Sequence, residues 1–250
     1  MEIRNLSVWL QLAYLFMIGS IFGWVIELFY RRFALDNKER KWVNPGFLTG
    51  PYIPLYGFAL CILFVLANFG EKFIAEGSSN KIILFVIMAI CITIIEYIAG
   101  VICIKLFNVR LWDYSKEFLN IQGIVCIKFS FYWWLLSAFY YFLINDKILK
   151  SLIWLDHNIE FSFWTGIFYG VFVVDLCQSL NVITRLRTFA RENKIIVVYE
   201  RFQDNAKETI QSILNKNKFF TGLFLDNKIL SEVIELYKQR FQKGDEKINK

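Results

Sequence analysis

Five apolar stretches, each long enough to cross a bilayer, constrain this chain more than anything else in it. They run approximately from Val8 to Tyr30, Pro51 to Phe69, Ile82 to Ile104, Ile124 to Ile144 and Phe161 to Leu180. A helix of roughly 18 to 23 residues, rising about 1.5 Å per residue, spans a hydrocarbon core about 30 Å thick. None of the five alternates polar and apolar residues throughout. Barrel strands are therefore disfavoured, and a helix is the other backbone that satisfies its own hydrogen bonds in lipid. With 56% hydrophobic and 18% aromatic residues, the chain is also far more apolar than one soluble core requires. The expected fold is all-α: a polytopic transmembrane helix bundle of about five spans over residues 1–180, with a helical cytoplasmic C-terminal tail over 181–250. The start, MEIRNLS, lacks a strongly basic region and a small-residue cleavage site follows nowhere near, so the first stretch is expected to stay as a span.

Orientation follows from lysine and arginine in the short connections. Arg31, Arg32, Lys38, Arg40 and Lys41 lie in the first loop, Lys105, Arg110 and Lys116 in the third, and Arg185, Arg187, Arg191 and Lys194 at the start of the tail. The other side carries Arg4, Lys72, Lys81, Lys147 and Lys150. Twelve against five predicts a multi-pass protein of the cell membrane with its N-terminus outside and its C-terminus in the cytoplasm. Trp9, Trp42, Trp112, Trp154 and Trp164 fall near span ends, as interfacial anchors do. Beyond residue 180, the segments Tyr199 to Asn215 and Asn227 to Phe241 space apolar residues three and four apart and read as amphipathic helices. A net charge of +6 is too modest to suggest nucleic acid as a partner. The five cysteines, Cys61, Cys91, Cys103, Cys126 and Cys177, sit inside apolar runs without a CxxC pair and read as small hydrophobes.

Four ionisable residues lie within the spans: Glu27, Glu96, Lys128 and Asp175. At a span centre each costs about 2.5 kcal/mol or more, so each must face protein or water. Counted from the cytoplasmic span ends, Glu27 lies about 6 Å deep, Lys128 and Asp175 about 8 Å, and Glu96 about 13 Å. Glu27 and Lys128 are near enough to the interface to snorkel. Glu96, in CITIIEYIAG, must pair, with Lys128 as the nearest cation in depth, or take up a proton. Gly19 and Gly23 form a GxxxG spacing on the face of Glu27, and Gly166 and Gly170 form another, a weak signal whose default reading is helix packing.

All three prolines, Pro45, Pro51 and Pro54, lie in NPGFLTGPYIPLYG, which enters the second span. Pro51 suits a first helical turn, and Gly46 and Gly50 permit a tight or re-entrant backbone. Free amides there suit an anion such as a phosphate head group, or the segment is a plain capping loop beginning at Asn44. In the third loop, LWDYSKEFLNIQG, Trp112, Asp113 and Tyr114 form an interfacial cluster in which Asp113 caps a turn or takes a cation, with Asn120 further on. The two hairpins correspond loosely: Glu27, Trp42, Asn44, Gly46 and Tyr56 against Glu96, Trp112, Asn120, Gly123 and Tyr132. Such a correspondence implies a parallel repeat about an axis along the membrane normal.

GWVIE, NPGFLTGPYIPLYG, IIEYIAG and LWDYSKEFLNIQG together resemble the bacterial membrane family known as putative ABC-transporter type IV, or CmpB-like, over about residues 15–145. Gly23, Trp24, Glu27, Gly46, Gly50, Pro51, Pro54, Tyr56, Gly57, Glu96, Tyr97, Gly100, Trp112, Asp113, Tyr114, Asn120 and Gly123 carry the resemblance. Pro45 and Gln122 depart from it. The resemblance implies a permease partnered with a separate ATPase subunit. This chain has no GxxxxGK[ST] run of its own.

Three function classes follow. The first is a permease-like transport component in which Glu27, Glu96 and Asp175, balanced by Lys128, line a cytoplasm-facing site for a proton or small cation. The second is a membrane scaffold or sensor whose tail recruits a soluble cytoplasmic protein. The third, a lipid-active enzyme, is disfavoured: HExxH is absent and the single histidine, His157, is expected on an outer loop. No cofactor is expected.

Overall fold

The computed structural model describes residues 6–33, 40, 42, 44–70, 78–192, 196–199, 234–236 and 239. Helix α1 runs Val8–Phe33, α2 Pro54–Gly70 and α3 Ser78–Phe107. A short strand β1 (Val109–Arg110) and a hairpin of β2 (Asn120–Ile121) and β3 (Val125–Cys126) fill the next connection. Helix α4 (Ile127–Phe139) passes through a wide π turn, Tyr140–Ile144, into α5 (Asn145–His157). After one 3₁₀ turn, Ile159–Phe161, helix α6 runs Ser162–Glu192, and β4 (Val197–Val198) follows. Among the described residues four helical stretches are long and apolar enough to cross a membrane, and α2 is a shorter apolar one. The fold is an all-α membrane bundle.

Three boundaries differ from those the hydropathy suggests. The second helix begins at Pro54, with Pro51 exposed in the bend before it. Proline's missing N–H suits a first helical position, and Pro54 occupies it because the Ile53 amide is already committed to the Ser20 carbonyl at 3.0 Å. The fourth helix begins at Ile127, because residues 120–126 form a hairpin. The last helix does not stop where the composition turns polar near Leu180. It continues to Glu192, with Ile183, Leu186 and Ala190 buried on one side. The amphipathic helices read for the tail lie outside the described residues, apart from isolated positions. His157 is the exposed last residue of α5, with its ring Nδ1 2.8 Å from the Ile153 carbonyl oxygen.

Packing is antiparallel and pairwise. The Cys61 thiol meets the Leu12 carbonyl at 3.4 Å, and Gly57 lies against Phe16 and Ser20, so α1 and α2 run in opposite directions. Phe85 faces Tyr141 and Phe142 with centroids 5.4 and 5.6 Å apart, and the Thr93 hydroxyl donates to Ser130 at 3.1 Å, which sets α3 against α4. Leu15, Leu63, Met88, Ile92 and Leu152 form the centre of the apolar core. Phe16, Leu48, Tyr52 and Phe168 form a second cluster that seats α6 against α1 and the loop before α2. Outward, Ile83, Ile87, Ile90, Ile94, Ile98 and Ile102 make an exposed apolar ridge along α3, as lipid requires. The five cysteines are free.

The π turn has a visible cause. The Tyr140 hydroxyl donates to Asn145 Oδ1 at 2.9 Å, and Asn68 Nδ2 donates to the same oxygen at 3.3 Å. Residues five apart are rotated about 140° on an α-helix, whereas a wider turn brings them close to one face.

The two GxxxG spacings have different environments. A Cβ on Gly19 would sit 2.7 Å from the Tyr56 carbonyl oxygen, and one on Gly23 would overlap Tyr56 itself. Among the described residues nothing stands within 4 Å of where a Cβ on Gly166 or Gly170 would sit. Gly23→Ala is therefore expected to destabilise the protein by about 1–3 kcal/mol. Gly166→Ala is expected to be neutral or stabilising by up to about 1 kcal/mol. Thermal unfolding of the two variants in one detergent reads the contrast.

Candidate functional site

Glu96 is the most deeply placed acid of α3, 3% exposed. One carboxylate oxygen accepts the Trp133 indole N–H at 3.0 Å and the other the Tyr114 hydroxyl at 3.2 Å. Among the described residues no basic group pairs with it. Glu27, on α1, is partly exposed; it accepts from Arg31 at 3.0 Å and from the Tyr56 hydroxyl at 3.1 Å. The Tyr56 and Trp133 rings then meet, centroids 5.3 Å apart. Two carboxylates on two long helices are thus joined through the aromatic side chains that bond them, one from α2 and one from α4.

Lys128 is not the partner of Glu96. It donates to Glu117 at 2.8 Å with its side chain 42% exposed. The depth expected for it assumed a helix starting at Ile124; with α4 starting at Ile127, Lys128 falls in the first turn and its amine reaches the loop. Asp175 likewise stands apart from the two glutamates. It is fully buried, and it accepts from the Thr49 amide (3.1 Å) and hydroxyl (2.5 Å), the Gly50 amide (2.9 Å), the Tyr52 hydroxyl (2.6 Å) and the Ser179 hydroxyl (3.2 Å). The amides that the sequence suggested for a phosphate head group are occupied by this internal carboxylate.

The loop before α2 is bound at a second point. Asn44 accepts the Trp24 indole N–H at 2.5 Å and donates to the carbonyls of Leu48 and Thr49 at 3.3 and 3.1 Å. Gly46 has φ +83°, a left-handed conformation that glycine adopts without a Cβ penalty. Gly50 lies so close to the Tyr52 ring that any Cβ would overlap it. Pro51 is exposed in the bend between them and α2.

The third connection has the same devices. Asp113 accepts from the Ser115 amide at 3.1 Å, from the Ser115 hydroxyl and from Arg110 at 3.0 Å. Burial opposes the Asp113 charge, but the Ser115 hydroxyl and amide and the Arg110 guanidinium outweigh it and hold the carboxyl below its ordinary range. Asn120 donates to the carbonyls of Ser115 (3.2 Å) and Glu117 (2.9 Å) and accepts from the Gly123 amide (3.0 Å). Trp112 donates its indole N–H to the Ile124 carbonyl at 2.7 Å, an internal strut. Gln122 and Gly123, at φ +55° and +66°, with the Ile124 amide bonded to the Ile121 carbonyl at 3.0 Å, form the tight turn of the β2–β3 hairpin.

Trp133, the donor to Glu96, stands next to Tyr132, the residue that the correspondence between the two hairpins selects. The available signal was spacing. Trp133 and Ser137, four residues apart and both buried, fix the inward face of α4.

A family model described as putative ABC-transporter type IV matches residues 14–180. No curated protein and no solved structure matches the chain.

Asp175→Asn removes a buried charge while keeping its shape, and each charge-assisted hydrogen bond is worth about 1.5–3 kcal/mol. Amide hydrogen exchange at Thr49 and Gly50 is therefore expected to quicken at least tenfold in that variant, with the amides of α3 unchanged.

Proposed function

The chain belongs to the family described as putative ABC-transporter type IV, and from that premise we propose that it is a permease-like transport component with an intramembrane acidic site, open towards the cytoplasm, for a proton or small cation. The observation that carries this reading is Glu96, a buried carboxylate with two hydrogen-bond donors and, among the described residues, no cation. Hydrogen bonds from neutral donors offset part of the cost of burying a charge, and the rest is met by a proton or by a bound cation. Glu27, joined to Glu96 through Tyr56 and Trp133, is a second acceptor nearer the helix end. Asp175 and Lys128 have no part in this site; they hold loops.

In this reading the site lies on the cytoplasmic side, where the excess of lysine and arginine puts the loops, and the energy source is an ATPase on another chain. Binding at Glu96 would free or recruit the Tyr114 hydroxyl, the one donor to it that comes from a loop. That gives the site a direct means of moving the connection.

A second reading, a scaffold recruiting a soluble protein through its tail, is favoured by one specific contact. Strand β4 pairs in parallel with β1, Val109 against Val197, and the Tyr199 hydroxyl donates to the Phe47 carbonyl at 3.2 Å. The segment after α6 therefore touches both connections, and whatever binds the residues beyond it acts on them.

Two experiments separate the readings. In proteoliposomes carrying an internal pH dye, Glu96→Gln is expected to reduce proton or cation flux at least tenfold while leaving thermal stability equal or higher. Flux equal to that of the unsubstituted chain removes Glu96 from the mechanism. Truncation after Glu200, which retains β4, is expected to preserve flux under the transport reading; loss of partner capture with intact flux would assign the tail a recruiting role of its own.

A further inference from the structure

The connection between α3 and α4 is a loop in its secondary structure, yet it lies at the level of the spans. The antiparallel register set by Thr93 with Ser130, and by Phe85 with Tyr141 and Phe142, places Ile127, the first residue of α4, beside residues 96–100 of α3. Helix α3 runs on to Phe107, seven to eleven residues past that level, or about 10–16 Å. Two side chains agree: Ile124 packs against Gly100, and the Tyr114 hydroxyl reaches back to Glu96. The apolar part of α3 begins at Asn80, and Glu96 lies about 24 Å along it, inside a hydrocarbon core about 30 Å thick.

A non-helical backbone at such a depth needs its own hydrogen-bond partners. This one has them: Asn120 takes the carbonyls of Ser115 and Glu117 and the amide of Gly123, Asp113 takes the Ser115 amide, and β2 pairs with β3. Beside these bonds, three apolar side chains of the loop face out. Phe118 is 77% exposed, Leu119 61% and Ile121 58%. Ile127, Phe131 and Leu135 on α4 are exposed as well, and the pairing of Asn120 with Cys126 brings the hairpin to the start of that helix. The Glu117–Lys128 pair holds the residue before Phe118 beside the first turn of α4.

We propose that residues 115–127 are seated in one leaflet of the bilayer, with Phe118, Leu119 and Ile121 against acyl chains and the exposed Lys116 and Lys128 amines at the level of anionic head groups. The occupant of this surface is lipid, since the hairpin brings the patch to the exposed apolar start of α4 and its own backbone is hydrogen-bonded within the loop.

The test uses the full chain in nanodiscs of a phosphatidylethanolamine and phosphatidylglycerol mixture. A membrane-impermeant maleimide is scored by intact mass against the unsubstituted chain, which corrects for the native cysteines. Phe118→Cys is expected to label at less than a tenth of the rate of Glu192→Cys, and no faster than Val171→Cys on the lipid-facing side of α6. In parallel, p-benzoylphenylalanine at position 118 is expected to give phospholipid adducts on irradiation, a readout that does not depend on the cysteine variant folding. Labelling equal to that of Glu192→Cys, with no lipid adduct, overturns the proposal. Protection in native membranes that disappears in pure-lipid nanodiscs also overturns it, and assigns the patch to a protein subunit instead.

Discussion

Asp175 holds the loop before α2 through two consecutive backbone amides and the hydroxyls of Thr49 and Tyr52, and much of the remaining geometry depends on that grip. A carboxylate inside a bundle far from bulk water must be matched by donors. The donors it collects fix Thr49, Gly50 and Tyr52 against α6. Asn44 then takes the carbonyls of Leu48 and Thr49 while holding the Trp24 indole of α1. A few residues on, the Ile53 amide meets the Ser20 carbonyl and Pro54 opens α2. The start of α2 in turn sets where Tyr56 stands, and so which hydroxyl reaches Glu27. One buried charge on the last span thereby fixes the geometry of the first two.

The two hairpins share a physical plan. Each pairs a long helix carrying a glutamate with a shorter or later-starting helix, through a connection that folds back along the long one. Each connection contains an asparagine that satisfies neighbouring backbone and a glycine at positive φ, Gly46 or Gly123. The acids are bonded by an aromatic side chain of the second helix, Tyr56 for Glu27 and Trp133 for Glu96. The differences are as informative. Glu27 has Arg31 one turn away, whereas Glu96 has none and gains a loop tyrosine. The partly exposed acid is neutralised and the buried one is held by neutral donors, an asymmetry that gives the two halves different chemistry.

Hydropathy revealed the helices, because a bilayer demands long apolar stretches whatever their partners. It did not reveal their starting residues, and several side-chain assignments depend on those. Lys128 illustrates the point: moving the start of α4 by three residues, from Ile124 to Ile127, changes its partner from a buried acid to Glu117. The hairpin that moves the start is held by short-range bonds of Asn120 and Gly123, which mean composition does not register. The continuation of α6 to Glu192 is hidden from mean hydropathy for a related reason. Arg191 and Glu192 are exposed there, while Ile183, Leu186 and Ala190 pack on the other side. GxxxG was legible as a spacing, but Gly19 and Gly23 face Tyr56 whereas a Cβ at Gly166 or Gly170 would meet no described residue within 4 Å. Spacing alone carries no information about what lies opposite.

The wide turn at Tyr140–Ile144 sits between two lengths of regular helix that pack into one apolar core. Before it, α4 presents Trp133 and Ser137 to the acidic site; after it, α5 buries Ile148, Leu152 and Leu155. A π turn adds one residue to a helical turn and so rotates everything after it relative to what comes before. The surplus residue thus rephases the fourth span, so that Trp133 before it and Ile148, Leu152 and Leu155 after it all keep an inward face on the same core.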